Sequence, residues 1–60
     1  MPEYRINFRC YYAEGRYYNH WRYMPLEDIP RWIEAYRFTH PEVHDISALV
    51  WFCRPEEVTG

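Results

Sequence analysis

Lysine is missing from this chain: all seven cations among its 60 residues are Arg. A GC-rich genome would account for that usage. A functional account also exists, because Arg makes flat, bidentate and ring-stacking contacts that Lys cannot. Glycine is nearly missing too, with only Gly15 and Gly60. That excludes a Gly-rich loop cradling phosphate at a helix start. The two cysteines, Cys10 and Cys53, lie far apart. In a reducing cytosol they are expected to be buried free thiols rather than a bridge. The three histidines and two cysteines show no paired zinc spacing, and Pro41 interrupts the helix that would align His40 with His44. No metal and no cofactor are expected. No apolar run approaches the roughly 18 residues that cross a bilayer, so no membrane partner is expected. The polar start Met1-Pro2-Glu3-Tyr4-Arg5 has no apolar h-region. It predicts no secretion signal and a cytoplasmic location.

What the chain has in excess is rings. Aromatic residues make up 22% of it, as seven Tyr, three Trp and three Phe. A domain of this length buries only about 60% of the surface its unfolded chain exposes. Rings left partly outside, on a chain too small for an enclosed active site, point to a binder. Hydrophobic content of 48% and charged content of 27% read as one globular domain over residues 1–60, with an ordered core of about 4–54.

The coarse elements follow from periodicity. Tyr4, Ile6, Phe8 and Cys10 alternate with Arg5, Asn7, Arg9 and Tyr11, which predicts a half-buried strand over 4–12. Ala13-Glu14-Gly15-Arg16 reads as a tight turn, with Gly15 free to take positive φ. A return strand over 17–23 follows. Its bulky Trp21 and Tyr23 suggest that Tyr17, Asn19, Trp21 and Tyr23 form the core face, leaving Tyr18, His20 and Arg22 outside. Leu26, Ile29, Trp32, Ile33 and Tyr36 have helical spacing, and Pro30 suits a helix start. The helix is predicted over 28–39, ended by His40-Pro41. The segment 46–54 is apolar on both parities and reads as a strand. A helix competes there, because Thr39-His40-Pro41-Glu42 fits a capping box.

These elements predict an α+β fold, a single ββαβ domain. Strand one is central in a three-stranded antiparallel sheet, and one helix packs on one face. The helix would cover Ile6, Phe8, Trp21, Val50 and Phe52. The other face would show Arg5, Arg9, Tyr11, Tyr18, His20, Arg22, Leu49 and Trp51.

Chemistry-bearing sets are sparse. Ser47 has no Gly-flanked elbow. Cys10 and His20 could meet across the hairpin, yet a nucleophile also needs a cleft and an oxyanion hole. No catalytic residue and no enzyme activity are expected. Charge is uneven. Residues 1–24 carry four Arg against Glu3 and Glu14, whereas residues 25–60 carry three Arg against seven acids, within a net charge of −2. Two contact surfaces are therefore candidates. One is acidic: Glu27, Asp28, Glu34 and Asp45, with Tyr11, Tyr18 and Trp51 as ring anchors. As a plain helix face, the acids would instead form Glu27–Arg31 and Glu34–Arg37 pairs. The other candidate is an Arg/Tyr-rich sheet face, with Arg5, Arg9 and Arg22, for nucleic acid. The aromatic sheet could also pair with its own copy, giving a homodimer.

A ββαβ-like unit over about 4–54, an acidic helix region (Glu27, Asp28, Glu34), an aromatic-rich sheet and no catalytic motif together resemble the format of small phage-encoded inhibitors of the anti-CRISPR type. That resemblance implies a stoichiometric inhibitor in the host cytoplasm. Its partner would be a host protein or ribonucleoprotein, a CRISPR surveillance complex whose target-DNA recognition it blocks. A net charge of −2 is small for a DNA mimic.

Overall fold

The computed structural model describes residues 3–51. The order is β1 (Tyr4–Tyr11), β2 (Tyr17–Met24), α1 (Ile29–Thr39) and β3 (Asp45–Trp51). The three strands form one antiparallel sheet in the order β2-β1-β3, with β1 central. This is the expected ββαβ arrangement.

Local chemistry explains each boundary. The β1–β2 loop holds a short 3-10 turn, Ala13–Gly15, in which Glu14 (φ 63°) and Gly15 (φ 74°) both take the left-handed conformation. The Tyr12 N–H donates to the Arg16 carbonyl at 2.7 Å and closes the loop. After Pro25, a second 3-10 turn, Leu26–Asp28, leads into α1, whose second residue is Pro30. A proline there costs little, since its missing N–H would have no helical acceptor. The helix ends at His40, the residue before Pro41, where the α region is disfavoured. Thr39 Oγ1 donates to the Ala35 and Tyr36 carbonyls in that last turn. The His44 N–H then reaches the Tyr11 carbonyl at 2.7 Å and starts the pairing of β3 with β1. The segment 45–51 is strand, as expected; the continuation to 54, with Phe52 and Cys53, lies outside the described residues.

Register decides the faces. Phe8 pairs with His20 on one side and Ala48 on the other; Ile6 pairs with Arg22 and Val50. Paired residues share a face. The helix-side face is therefore Ile6, Phe8 and Cys10 flanked by Tyr18, His20, Arg22, Ile46, Ala48 and Val50. Ile6, Phe8 and Cys10 are 0% exposed and form the core with Val43. Phe8 stacks on Trp32 of α1 at 3.9 Å between centroids.

This corrects the expected parity of β2. Trp21 and Tyr23 are on the open face, and Tyr18, His20 and Arg22 are on the helix side. The physical reason is loop length. A four-residue turn after a strand ending at Tyr12 would set Trp21 opposite Phe8. Here β1 ends at Tyr11 and five residues intervene, so His20 takes that place. One extra loop residue turns every side chain of the return strand over.

Candidate functional site

The open face of the sheet has no element of the described chain across it. Its residues by register are Arg5, Asn7, Arg9 and Tyr11 on β1, Tyr17, Asn19, Trp21 and Tyr23 on β2, and Asp45, Ser47, Leu49 and Trp51 on β3. Trp21, Trp51 and Leu49 are 44%, 45% and 58% exposed, and Tyr17 and Tyr23 are exposed as well. Exposed large side chains are thus contiguous on this face, which makes it the candidate site.

The face is internally organised. Trp21 and Trp51 approach across the central strand at 5.2 Å between centroids. The Arg5 guanidinium lies 4.3 Å over the Trp21 ring. Toward the other end, Arg9 lies 4.4 Å over Tyr17, and its Nε donates to Asn19 Oδ1 at 3.1 Å. Asn7 sits between the register partners Trp21 and Leu49 and is only 4% exposed. Cation–π contacts of this type hold both partners in place. The result is a patch of rings and guanidinium forks in mutual contact.

The expected contact residues divide between surfaces. Arg5, Arg9, Tyr11 and Trp51 share the open face as anticipated. Arg22 and Tyr18 do not, because they point to the helix side. Tyr18 meets Tyr12 edge-on at 5.4 Å. The acids do not form one cluster. Glu27 and Asp28 lie in the turn before α1, and Glu34 is exposed on the helix. Asp45 starts β3 at the opposite end of α1 and pairs with Arg37 at 3.6 Å. Among the described residues this is the one ion pair, so the Glu27–Arg31 and Glu34–Arg37 pairs are not formed.

Sequence reasoning missed a second constellation, on the helix side. Trp32, Tyr36 and His40 stack along α1, at 5.1 Å and 4.1 Å between successive centroids. His20 tilts against Trp32 and Tyr36. The Tyr36 hydroxyl shares a 2.6 Å hydrogen bond with the Tyr12 hydroxyl and lies 3.3 Å from His20 Nε2. The signal was the i, i+4, i+8 spacing of Trp32, Tyr36 and His40, which puts all three on one helix face.

Burial sets the protonation of this cluster. It pushes the Tyr36 phenol well above its usual range, and the bond with Tyr12 and the nearby Cys10 add to the effect. Burial raises the Cys10 thiol, with Tyr36 acting in the opposite sense. Burial lowers His20, helped by the positive fields of Arg22 and His40. Cys10 and His20 thus each engage Tyr36, and the structure has no hydrogen bond from one to the other.

Comparison with family models, curated proteins and solved structures finds no match for this chain. Among the described residues no helix is long and apolar enough to cross a membrane.

Proposed function

We propose that this protein is a small stoichiometric binder, an inhibitor or adaptor, that docks on a partner protein through the open face of its sheet. One observation carries the reading: Trp21, Trp51, Tyr17, Tyr23 and Leu49 lie exposed on one face, interleaved with Arg5 and Arg9. Trp, Tyr and Arg are the residue types that dominate interface energetics. The arrangement favours a protein over a nucleic-acid strand. Arg5 and Arg9 already lie over the Trp21 and Tyr17 rings, which leaves less flat ring surface for bases.

Charge favours an acidic partner over a second copy. Arg5 and Arg9 lie on the central strand. Two copies stacked face to face would set these cations against their own equivalents; the acid that register puts on this face, Asp45, lies at its end opposite Tyr11 and pairs with Arg37. The partner surface that fits carries apolar side chains with carboxylates among them. An inhibitor of the anti-CRISPR type, blocking target-DNA recognition by a surveillance complex, is the particular form suggested by the format of the chain.

The test uses the whole protein and two open-face variants, Leu49→Asp and Trp21→Ala. A protein captured from host extract is purified and titrated against all three. The expected result is 1:1 binding that each variant weakens at least about tenfold, equivalent to 1.4 kcal/mol. Binding that both variants leave unchanged, but that Glu27→Lys with Asp28→Lys abolishes, would move the contact to the acidic turn. A low-salt gel shift of single-stranded DNA or RNA, lost on replacing Arg5 and Arg9, would replace the protein partner with nucleic acid.

A further inference from the structure

We infer that the opposite side of the molecule holds a binding groove for a small amphipathic anion: an aryl or similarly flat body bearing one carboxylate or phosphate. The groove runs between α1 and β2, with a volume of about 430 Å³. Trp32, Ala35, Tyr36, Thr39 and His40 line one wall, and His20 and Arg22 line the other. The helical residues fall at i, i+3, i+4, i+7 and i+8, a single stripe along one side of α1. His20 and Arg22 are two apart on β2 and share its helix-side face. The volume is in the range of small-molecule sites, which combine apolar walls with a few placed polar groups.

Polarity selects the ligand. Among the described residues the lining contains three nitrogen bases and no carboxylate. Arg22 uses Nη1 on the Trp21 carbonyl at 2.8 Å and has no carboxylate within 4.0 Å among the described residues. Its remaining guanidinium donors are left for a ligand. His20 offers another. When its Nε2 accepts from Tyr36, the proton sits on Nδ1, so an N–H remains on the far side of the ring. When His20 is protonated, Nε2 donates to Tyr36, Tyr36 donates to Tyr12, and Nδ1–H is still a donor. The Tyr12–Tyr36–His20 chain leaves Nδ1 a donor when Nε2 accepts from Tyr36 and when the ring is protonated; in the other neutral tautomer Arg22 supplies the donors. An anion at Arg22 and His20 would satisfy both, with its apolar body along Trp32, Ala35 and Tyr36. A neutral ligand would leave the guanidinium unpaired. A cation would meet Arg22 with no acid among the described lining residues to offset it.

The experiment titrates the intact protein with phenyl phosphate and benzoate while recording amide and imidazole resonances. Benzyl alcohol serves as the uncharged control and inorganic phosphate as the head-only control. The expected outcome is saturable shifts at His20, Arg22, Ala35 and Tyr36, with at least tenfold weaker binding for both controls. Arg22→Gln, checked for a native spectrum, should weaken the aryl anions at least tenfold, and His20→Phe should weaken them independently. Several results would overturn the assignment. One is no shift up to about 10 mM, ten times the dissociation constant of a weak millimolar site. Another is equal binding of benzyl alcohol, or of inorganic phosphate. A third is unaltered affinity in both variants. This groove lies across the sheet from the proposed protein contact, so Leu49→Asp should leave its titration unchanged.

Discussion

Phe8 and Trp32 lie face to face, 3.9 Å between ring centroids and 14° from parallel. Phe8 is fully buried in the middle of the central strand, and Trp32 is in the first half of the only α-helix among the described residues. The stack is the joint between sheet and helix. Removing a buried Phe side chain costs about 3–5 kcal/mol in lost transfer energy and cavity formation. A domain this small has little more than that in total. Phe8→Ala should therefore be unfolded at room temperature, seen as collapsed amide dispersion. Phe8→Leu, which keeps most of the volume, should fold with a loss of about 1–2 kcal/mol in chemical denaturation. A folded Phe8→Ala protein with native melting would show that the stack is not the joint.

Stability should fall on mild acidification, and His20 should be the reason. Cys10 and Tyr12 reach its surroundings from β1 and its loop, Arg22 from β2, and Tyr36 and His40 from α1. Burial, and then Arg22 and His40, hold its folded pKa below the ordinary 6.5. The unfolded chain thus takes up the proton first. The stabilisation from neutral His20 is complete above the unfolded value and is lost as pH falls from there through the folded value. Melting temperature should decline between about pH 7 and 5. His20→Gln should flatten that decline relative to the parent. An equally steep decline in the variant would assign it to other groups.

The fold was legible because the strongest periodic signals sit where they decide topology. Ile6, Phe8 and Cys10 mark a core face unambiguously, and Leu26 to Tyr36 mark a helix of the right length. Antiparallel pairing of β3 with β1 follows from chain direction. The face of β2 was not legible from side-chain size. Its rings are large on both parities, so the register of the hairpin had to decide, and that rests on whether Tyr12 belongs to the strand or the loop. Tyr12 leaves the strand, and its N–H bonds to the Arg16 carbonyl instead. Hence Arg5 and Arg9 were placed correctly and Arg22 was not. The cluster of Tyr12, His20 and Tyr36 could not be found without that register, because it joins three separate elements.

Glu14 is the one non-glycine residue with positive φ among the described residues, at 63°. Holding an L-residue there costs roughly 1–2 kcal/mol. Glycine relieves that cost but loses about 0.5–1 kcal/mol to chain entropy. Glu14→Gly should therefore stabilise by up to about 1 kcal/mol, and Glu14→Asn should do so as well, since Asn tolerates this region. Gly15 behaves oppositely. At φ 74° an added Cβ would meet nothing within 4 Å, so Gly15→Ala pays only the backbone penalty, about 1–2 kcal/mol, less the chain entropy that alanine saves. Urea midpoints of the three variants check both signs, and a destabilised Glu14→Gly protein would contradict the conformation of this loop.

The open face should be dispensable for folding in proportion to its exposure, and this separates it from the core. Trp21 is 44% exposed and touches Trp51 and Arg5, both on its own face. Losing those contacts removes a cation–π pair and a ring pair, each worth about 0.5–1.5 kcal/mol. Leu49, more exposed still, flanks Asn7 on the far side of β1. Leu49→Asp should cost less than about 1 kcal/mol, because its solvent contact is already large. Trp21→Ala should cost more than Leu49→Asp and far less than Phe8→Ala. Neither should alter the His20–Tyr36 contact, which lies through the sheet, so the imidazole resonances of His20 should not move. The ranking is measured by denaturant midpoints alongside those resonances. If Trp21→Ala proved as damaging as Phe8→Ala, the rings of the open face would be a second core, and the surface would exist to hold the fold together rather than to meet a partner.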